Sequence, residues 1–302
     1  MSRILVIRLG ALGDFVQSFP PFAAIRAHHA GDHVTLLTTA PFAPLAARAP
    51  WFDAIALDPR PAFWNLPGLF ALARRLRGFD LVYDLQTSSR SSRYFRLAGR
   101  PRWSGVAPGC ALPHANPRRD FLHTRERQRE QLQMAGIELF PPPDLAWLSA
   151  GAKPGRIPAP YAVLAPGAAP HRPEKRWPAE RFGEIAALLA ARGTTPVVIG
   201  SAQEAPLAAE ILARAPESVD LTGRTALADL GPILAGAACV LGNDTGPMHL
   251  ATLLGRPAIV LFGAASDPAI TAPRYPDGGW PVILVAPDLA DLPQARVAAA
   301  LP

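Results

Sequence analysis

Leu9-Gly10-Ala11-Leu12-Gly13-Asp14 sets a glycine turn directly after an apolar run and ahead of a helical stretch, and ends it in a carboxylate. An aspartate at the mouth of such a turn can take a proton from a bound hydroxyl. It can equally serve as an N-cap whose oxygens satisfy free helix amides. On the residues alone both readings of Asp14 stand. Dinucleotide binding fits poorly, because the full G-x-G-x-x-G spacing is absent and the second strand ends in Thr38-Thr39, with no acid for a ribose.

Gly242-Asn243-Asp244-Thr245-Gly246-Pro247-Met248-His249 has the parts of an anion site: capping residues, a glycine for close backbone approach, a proline near the first helical position and free amides beyond it. A diphosphate suits it. One of Asp244 and Thr245 is expected to cap the helix whatever the function, which leaves His249 unexplained. Pro166-Gly167-Ala168 followed by Glu174-Lys175-Arg176-Trp177-Pro178 forms the loop after another expected strand, where Lys175 would add a point charge for phosphate oxygens. Read alone, Lys175 is equally a solvated loop charge.

Other chemistry is poorly supported. His28, His29 and His33 with Asp32 lack a regular metal-ligand spacing, and a surface helix end explains them better. There is no Asp-x-Asp pair to hold a divalent metal against a nucleotide sugar, no G-x-S-x-G elbow and no G-x-x-x-x-G-K-[ST] loop. Neither a metal nor a cofactor is expected. Cys110 and Cys239 are far apart with no ligand-spaced partner, so both read as ordinary reduced thiols.

These motifs need strands and helices to position them, and the chain alternates short apolar runs with longer amphipathic stretches, the pattern of parallel strands joined by crossover helices. Strands are expected at Arg3 to Leu9, His33 to Thr39, Asp53 to Leu57 and Phe79 to Leu85. A second series follows at Tyr161 to Ala165, Pro196 to Gly200, Cys239 to Gly242 and Ala258 to Phe262. Helices are expected over Gly13 to Ala30, with a kink or late start at Pro20-Pro21, and near Ala179 to Arg192, Gln203 to Ala215 and Ala226 to Gly236. The Pro- and Gly-rich stretch Ser149 to Pro158 reads as a linker. The expectation is therefore an α/β chain of two Rossmann-like, doubly wound domains, residues 1–152 and 153–302, facing a cleft at the carboxyl ends of both sheets.

The Arg8 guanidinium interrupts the first apolar run, so no secretory leader is expected, and no stretch approaches the roughly 18 apolar residues that span a bilayer. A cytoplasmic location, at most at the inner face of the membrane, follows. The net charge of +6 is unevenly placed. Residues 1–150 carry 18 arginines against 11 acids, a balance of +7; residues 151–302 carry 12 basic residues against 13 acids, a balance of −1. Without a nucleic-acid recognition motif, and with the charge confined to one half, nucleic acid is not an expected partner. An anionic, membrane-held partner of the first half is, with Arg90, Arg93 and Arg96 presenting a cationic stripe if Ser88 to Leu97 is helical.

Taken in order, L-G-A-L-G-D, P-G-A, K-R-W-P and G-N-D-T-G-P-M-H closely resemble the motifs of glycosyltransferase family nine, which contains the ADP-heptose:lipopolysaccharide heptosyltransferases. The resemblance implies a GT-B fold and an inverting, metal-independent transfer of heptose from ADP-heptose to a lipopolysaccharide-core-like acceptor. It also admits another nucleotide sugar, or a non-catalytic sugar-nucleotide-binding protein on the same scaffold. Within it Asp14 matches the general base, Lys175 the phosphate-binding lysine, and Asp244, Thr245, Gly246 and His249 the donor-site motif. Gly167, Gly223 and Thr225 are further expected donor contacts, and Gly13, Arg90 and Arg93 are expected on the side of an anionic, lipid-linked acceptor. Two departures stand out: Pro247 where leucine is common, and a short acceptor half.

Overall fold

The computed structural model describes residues 1–62, 64–151, 157–169 and 171–302. Chain contacts divide it into two compact units, Met1–Trp147 and Leu148–Pro302. The expected boundary between 152 and 153 falls on residues outside those described, as does half of the expected linker, residues 152–156.

In the first unit the strands are β1 (Arg3–Ile7), β2 (His33–Thr38), β3 (Ala54–Leu57), β4 (Leu81–Asp84), β5 (Arg102–Gly105) and β6 (Leu112–Pro113), ordered β3-β2-β1-β4-β5-β6 with every pairing parallel. Its helices are α1 (Leu12–Gln17), α2 (Phe19–His28), α3 (Ala43–Ala46), α4 (Leu66–Leu76), α5 (Ser89–Leu97) and α6 (Thr124–Met134). A short helix α7 (Ala146–Ser149) spans the division between the units. The second unit runs β7 (Tyr161–Ala165), α8 (Ala179–Ala191), β8 (Thr195–Val198), α9 (Ala205–Arg214), β9 (Val219–Asp220), α10 (Leu230–Ala235), β10 (Cys239–Asn243), α11 (Gly246–Leu253), β11 (Ala258–Phe262), α12 (Pro268–Thr271), β12 (Val282–Val285) and α13 (Gln294–Ala298). Its sheet, β12-β11-β10-β7-β8-β9, is also parallel throughout. Renumbered from its own first strand, the second sheet has the same order as the first, that of the doubly wound nucleotide-binding fold.

The central strands β7, β10 and β11 are buried at every residue, as a parallel sheet covered on both faces requires. In the first unit Leu5, Ile7, Leu37 and Val82 pack under Leu72, Leu76, Tyr94 and Trp103. On α1 and α2, Phe15, Phe19 and Phe22 form an aromatic cluster with Trp51. Trp177, Phe182, Ile185, Leu241 and Leu261 anchor the second core. Both cysteines are free and buried, and burial pushes the Cys239 thiol up to about 11. Among the described residues no helix is long and apolar enough to cross a membrane.

Three expectations are corrected. The first strand stops at Ile7, and the Arg8 side chain just beyond it turns inward to bond backbone carbonyls. Gly13 to Ala30 is two helices, broken at Ser18, with Pro20 in the first turn of α2 where its missing N–H costs nothing. Strands β5, β6, β9 and β12 were not anticipated.

Strand order reverses between β1 and β4 in the first sheet and between β7 and β10 in the second, and ligands of such sheets bind beyond the carboxyl ends at that reversal. At the first reversal Asp84, paired in register with Ile7, is fully buried. Its Oδ1 accepts hydrogen bonds from the Gln86 and Thr87 amides, and burial pushes its carboxyl up to about 6 despite them. Because the folded value lies above the unfolded one of about 3.9, this carboxyl's contribution to stability is complete below that pH and fades as pH rises through about 6. Asp84→Asn, which keeps the Oδ1 acceptor, is expected to flatten that part of the unfolding midpoint's fall between about pH 4 and about pH 6. An unaltered slope in thermal melts would assign the pH dependence elsewhere.

Candidate functional site

In the second unit the reversal point is organised by Asn243, the last residue of β10 and fully buried. Its Nδ2 donates to the Pro166 carbonyl at 2.7 Å, and its Oδ1 accepts from the Trp177 amide at 3.0 Å. One side chain thus ties both ends of the loop after β7. That loop delivers Lys175, whose Nζ donates to Asp244 Oδ2 at 2.7 Å; Ser266 Oγ donates to the same oxygen, also at 2.7 Å. His249 Nε2 stands 3.9 Å from Asp244 Oδ1, beyond hydrogen-bond range. Lys175, Asp244 and His249 are therefore gathered at one place.

Asp244 does not cap α11, since its carboxylate is turned to Lys175 and Ser266. Thr245 occupies the N-cap position with extended backbone but makes no side-chain capping bond. The expectation that one of the two caps the helix is corrected: the ion pair competes for the carboxylate and wins. The Thr245 and Gly246 amides make no hydrogen bond to another described residue, so the N-terminus of α11 retains free donors beside an ammonium. An ammonium has three N–H donors, and Asp244 uses one. A cavity of about 560 Å³, within the usual range for small-molecule sites, opens next to this group between Arg172, Glu174, Ala264, Ala265, Pro287 and Asp288.

The other expected donor residues stand nearby in the topology but are not bonded to this group. Gly167 follows β7, and a Cβ there would fall 1.5 Å from Glu204 Oε1, so only glycine lets that carboxylate lie against the loop. Gly223 takes a φ of +67° in a turn closed by the Arg224 amide on the Leu221 carbonyl. Thr225, just beyond, is half-buried, and no hydrogen bond among the described residues joins it to Lys175 or Asp244.

In the first unit Asp14 sits in the opening turn of α1, whose N-cap position is Ala11, so its carboxylate is not the cap. It is 46% exposed and meets Arg8 Nη2 at 3.2 Å. The Arg8 side chain is nearly inaccessible; Nε donates to the Asp14 carbonyl and Nη1 to that of Leu85. Burial drives the Arg8 pKa down and Asp14 opposes this. Gly13 is half-buried beside Asp14, while Arg90 and Arg93 are exposed on α5. Among the described residues no three His, Cys, Asp or Glu side chains are gathered as a metal ion would need.

The profile of glycosyltransferase family 9 (heptosyltransferase) matches residues 69–277, more than half of the chain. The chain belongs to that family. Lipooligosaccharide heptosyltransferase 2 of Haemophilus influenzae is 36% identical over 106 residues, a match spanning 33% of this chain and only 30% of that protein. The enzyme of the same name from Haemophilus ducreyi is 25% identical over 314 residues, covering 92% of this chain and 90% of its own. The solved structure of E. coli heptosyltransferase WaaC with ADP superposes with a TM-score of 0.78 at 22% identity and covers 98% of each chain, a likeness of fold. The expected GT-B class, with two Rossmann-like units, is met.

In this family 9 protein Asn243, Ser266, Glu204 and Arg8 carry the geometry and were not singled out from sequence. Asn243 lies inside the G-N-D-T-G-P-M-H motif, next to a charged residue whose type is the more suggestive of chemistry. Arg8, an arginine breaking a buried strand, was itself the signal of a buried cation that needs partners. Glu204 closes a turn in the loop after β8, where its Oε2 accepts from the Ser201 amide. Asn243→Ala would leave the Trp177 amide and Pro166 carbonyl buried without partners, at about 1–3 kcal/mol for each. We expect urea unfolding to show a loss of at least about 2 kcal/mol. A variant as stable as wild type would mean that the loop does not depend on this bridge.

Proposed function

We propose that the protein is an inverting heptosyltransferase that moves heptose from ADP-heptose to a lipopolysaccharide-core-like acceptor without a metal ion. The observation that carries the donor half is the Lys175–Asp244 pair fixed beside the free amides of α11. Those groups offer a diphosphate an ammonium and oriented N–H donors, the electrostatic service a divalent ion would otherwise give. Asp244, Thr245, Gly246 and His249 hold the diphosphate side, with Gly167, Gly223 and Thr225 toward the nucleoside. Support for ADP as the nucleotide and for heptose as the sugar comes from the names of the E. coli and H. ducreyi proteins. In this reading residues 153–302 bind the donor and residues 1–152 the acceptor.

Asp14 is the general base. With its carbonyl and carboxylate both held by Arg8, it is oriented to take the proton of an acceptor hydroxyl as that oxygen attacks the anomeric carbon. The C–O bond to the sugar forms as the bond to the diphosphate breaks, and the anion leaves onto Lys175 and the α11 amides. A single displacement of this kind inverts the anomeric centre. Gly13, Arg90 and Arg93 serve the acceptor side.

Asp14→Asn preserves shape and removes the base, so transfer should fall by about 10²–10⁴-fold while ADP affinity is unchanged. Near-normal turnover would reduce Asp14 to a partner of Arg8. Lys175→Ala should weaken ADP binding by roughly tenfold or more in calorimetry. Unaltered affinity would remove it from the site. Thermal protection against a panel of nucleotide sugars names the donor directly; protection by UDP- or GDP-sugars and none by ADP-heptose would overturn the donor assignment.

A further inference from the structure

We propose that the α4–α5 face of the first unit docks on an anionic lipid surface. It carries a cavity of about 550 Å³ with Leu72 and Tyr94 among its lining and Arg60, Arg90, Arg93 and Arg96 around it. Trp64, just before α4, lines it at 72% exposure, and α4 adds two exposed apolar side chains, Leu66 at 71% and Phe70 at 65%. The inner face of α4, Leu72, Ala73 and Leu76, is already buried in the core. A helix of a soluble domain normally turns polar residues outward opposite such a face; the first turns of α4 turn out Leu66 and Phe70.

Charge selects the occupant. Neither helix contains an acidic residue, yet together they hold Arg74, Arg75, Arg90, Arg93 and Arg96. Among the described residues none of these five is in an ion pair. Asp58, the nearby carboxylate, is buried and taken up by the Tyr94 hydroxyl and the Arg60 amide, each at 2.7 Å. A second copy of the chain would bring like charges together. Nucleic acid or a soluble glycan would account for the arginines and can stack on an aromatic ring, but neither has a use for Leu66 or an apolar cavity. An anionic bilayer satisfies both: headgroup phosphates take bidentate guanidinium bonds while the α4 side chains enter the acyl boundary and a chain end can occupy the cavity. The docking rests on the reading that Arg90 and Arg93 face a lipid-held acceptor, but vesicle binding is read without transfer, so its failure leaves the donor site and Asp14 untouched.

The test uses the full chain with vesicles of phosphatidylcholine alone or mixed with phosphatidylglycerol, both brominated at mid-chain. Wild type should sediment with the mixed vesicles, be released by salt, and show bromine quenching of tryptophan fluorescence that Trp64→Phe removes. The Arg90→Ala, Arg93→Ala, Arg96→Ala triple variant should bind mixed vesicles roughly a hundredfold more weakly. Leu66→Ser with Phe70→Ser should abolish the quenching and leave weaker, salt-sensitive binding. All these side chains are exposed, and unchanged melting would exclude misfolding. Equal binding to neutral vesicles, undiminished binding of the triple variant, or quenching indifferent to Trp64→Phe would overturn the proposal. So would a wild type that ignores vesicles and captures a soluble phosphorylated sugar, which would assign the face to a glycan.

Discussion

The second unit depends on a single buried amide. Asn243 ends a central strand at the point where the order of the sheet reverses, and there the chain on either side must diverge, leaving backbone groups without ladder partners. Its side chain supplies a donor to one end of the β7 loop and an acceptor to the other. Only an amide does both in the plane this geometry imposes: aspartate would set a carboxylate against the Pro166 carbonyl, and leucine would satisfy neither group. Lys175 and Asp244 then meet because each is directly tethered to a segment that Asn243 fixes. The ion pair is a consequence of that bridge, and it is retained at modest exposure because Ser266 shares the carboxylate.

The first unit meets the same divergence differently, with a buried cation. Arg8 leaves the first sheet's central strand and spends its donors on the Leu85 and Asp14 carbonyls and on the Asp14 carboxylate. A guanidinium suits this role because its donors are rigidly splayed and it remains charged despite the burial that depresses its pKa. Asp84 lies across the same reversal, and its raised pKa reflects the cost of burying a carboxyl completely. Both units thus place their ionisable groups where the sheet order changes and the helices part.

The legible part of the fold was the part under the strongest packing constraint. Strands β1, β2, β7, β10 and β11 are covered on both faces and read as continuous apolar runs. Arg102–Gly105 has one large apolar residue, Trp103, and β6 and β9 are two residues long, too short for any periodicity. Val282–Val285 did carry a β-branched run but lies at the edge of its sheet and half exposed, with no motif to draw attention to it. At the site, glycines and charges were legible because their types are chemically suggestive. Bonds across long stretches of chain have no local sequence signature: Asn243 to Pro166 is set by the register of β10 against β7, and Ser266 to Asp244 by that of β10 against β11.

The uneven charge of the two halves matches the two proposed ways of meeting anions. The second half has a balance of −1, yet its proposed ligand is a diphosphate. A site built from helix amides and one lysine needs no surrounding field, because oriented donors act over bond lengths and are already placed by the fold. A nucleotide diffusing freely can be held by such a local device. A lipid surface offers no fixed geometry to match; what it offers is a potential extending about a Debye length, roughly 8–10 Å, which is best met by many charges spread over a face. The excess of +7 in the first half, with Arg74, Arg75, Arg90, Arg93 and Arg96 outside any ion pair among the described residues, has that distributed character. A uniform preference for arginine would have charged both halves alike; the asymmetry instead fits the proposed difference between binding a small anion and meeting an extended one.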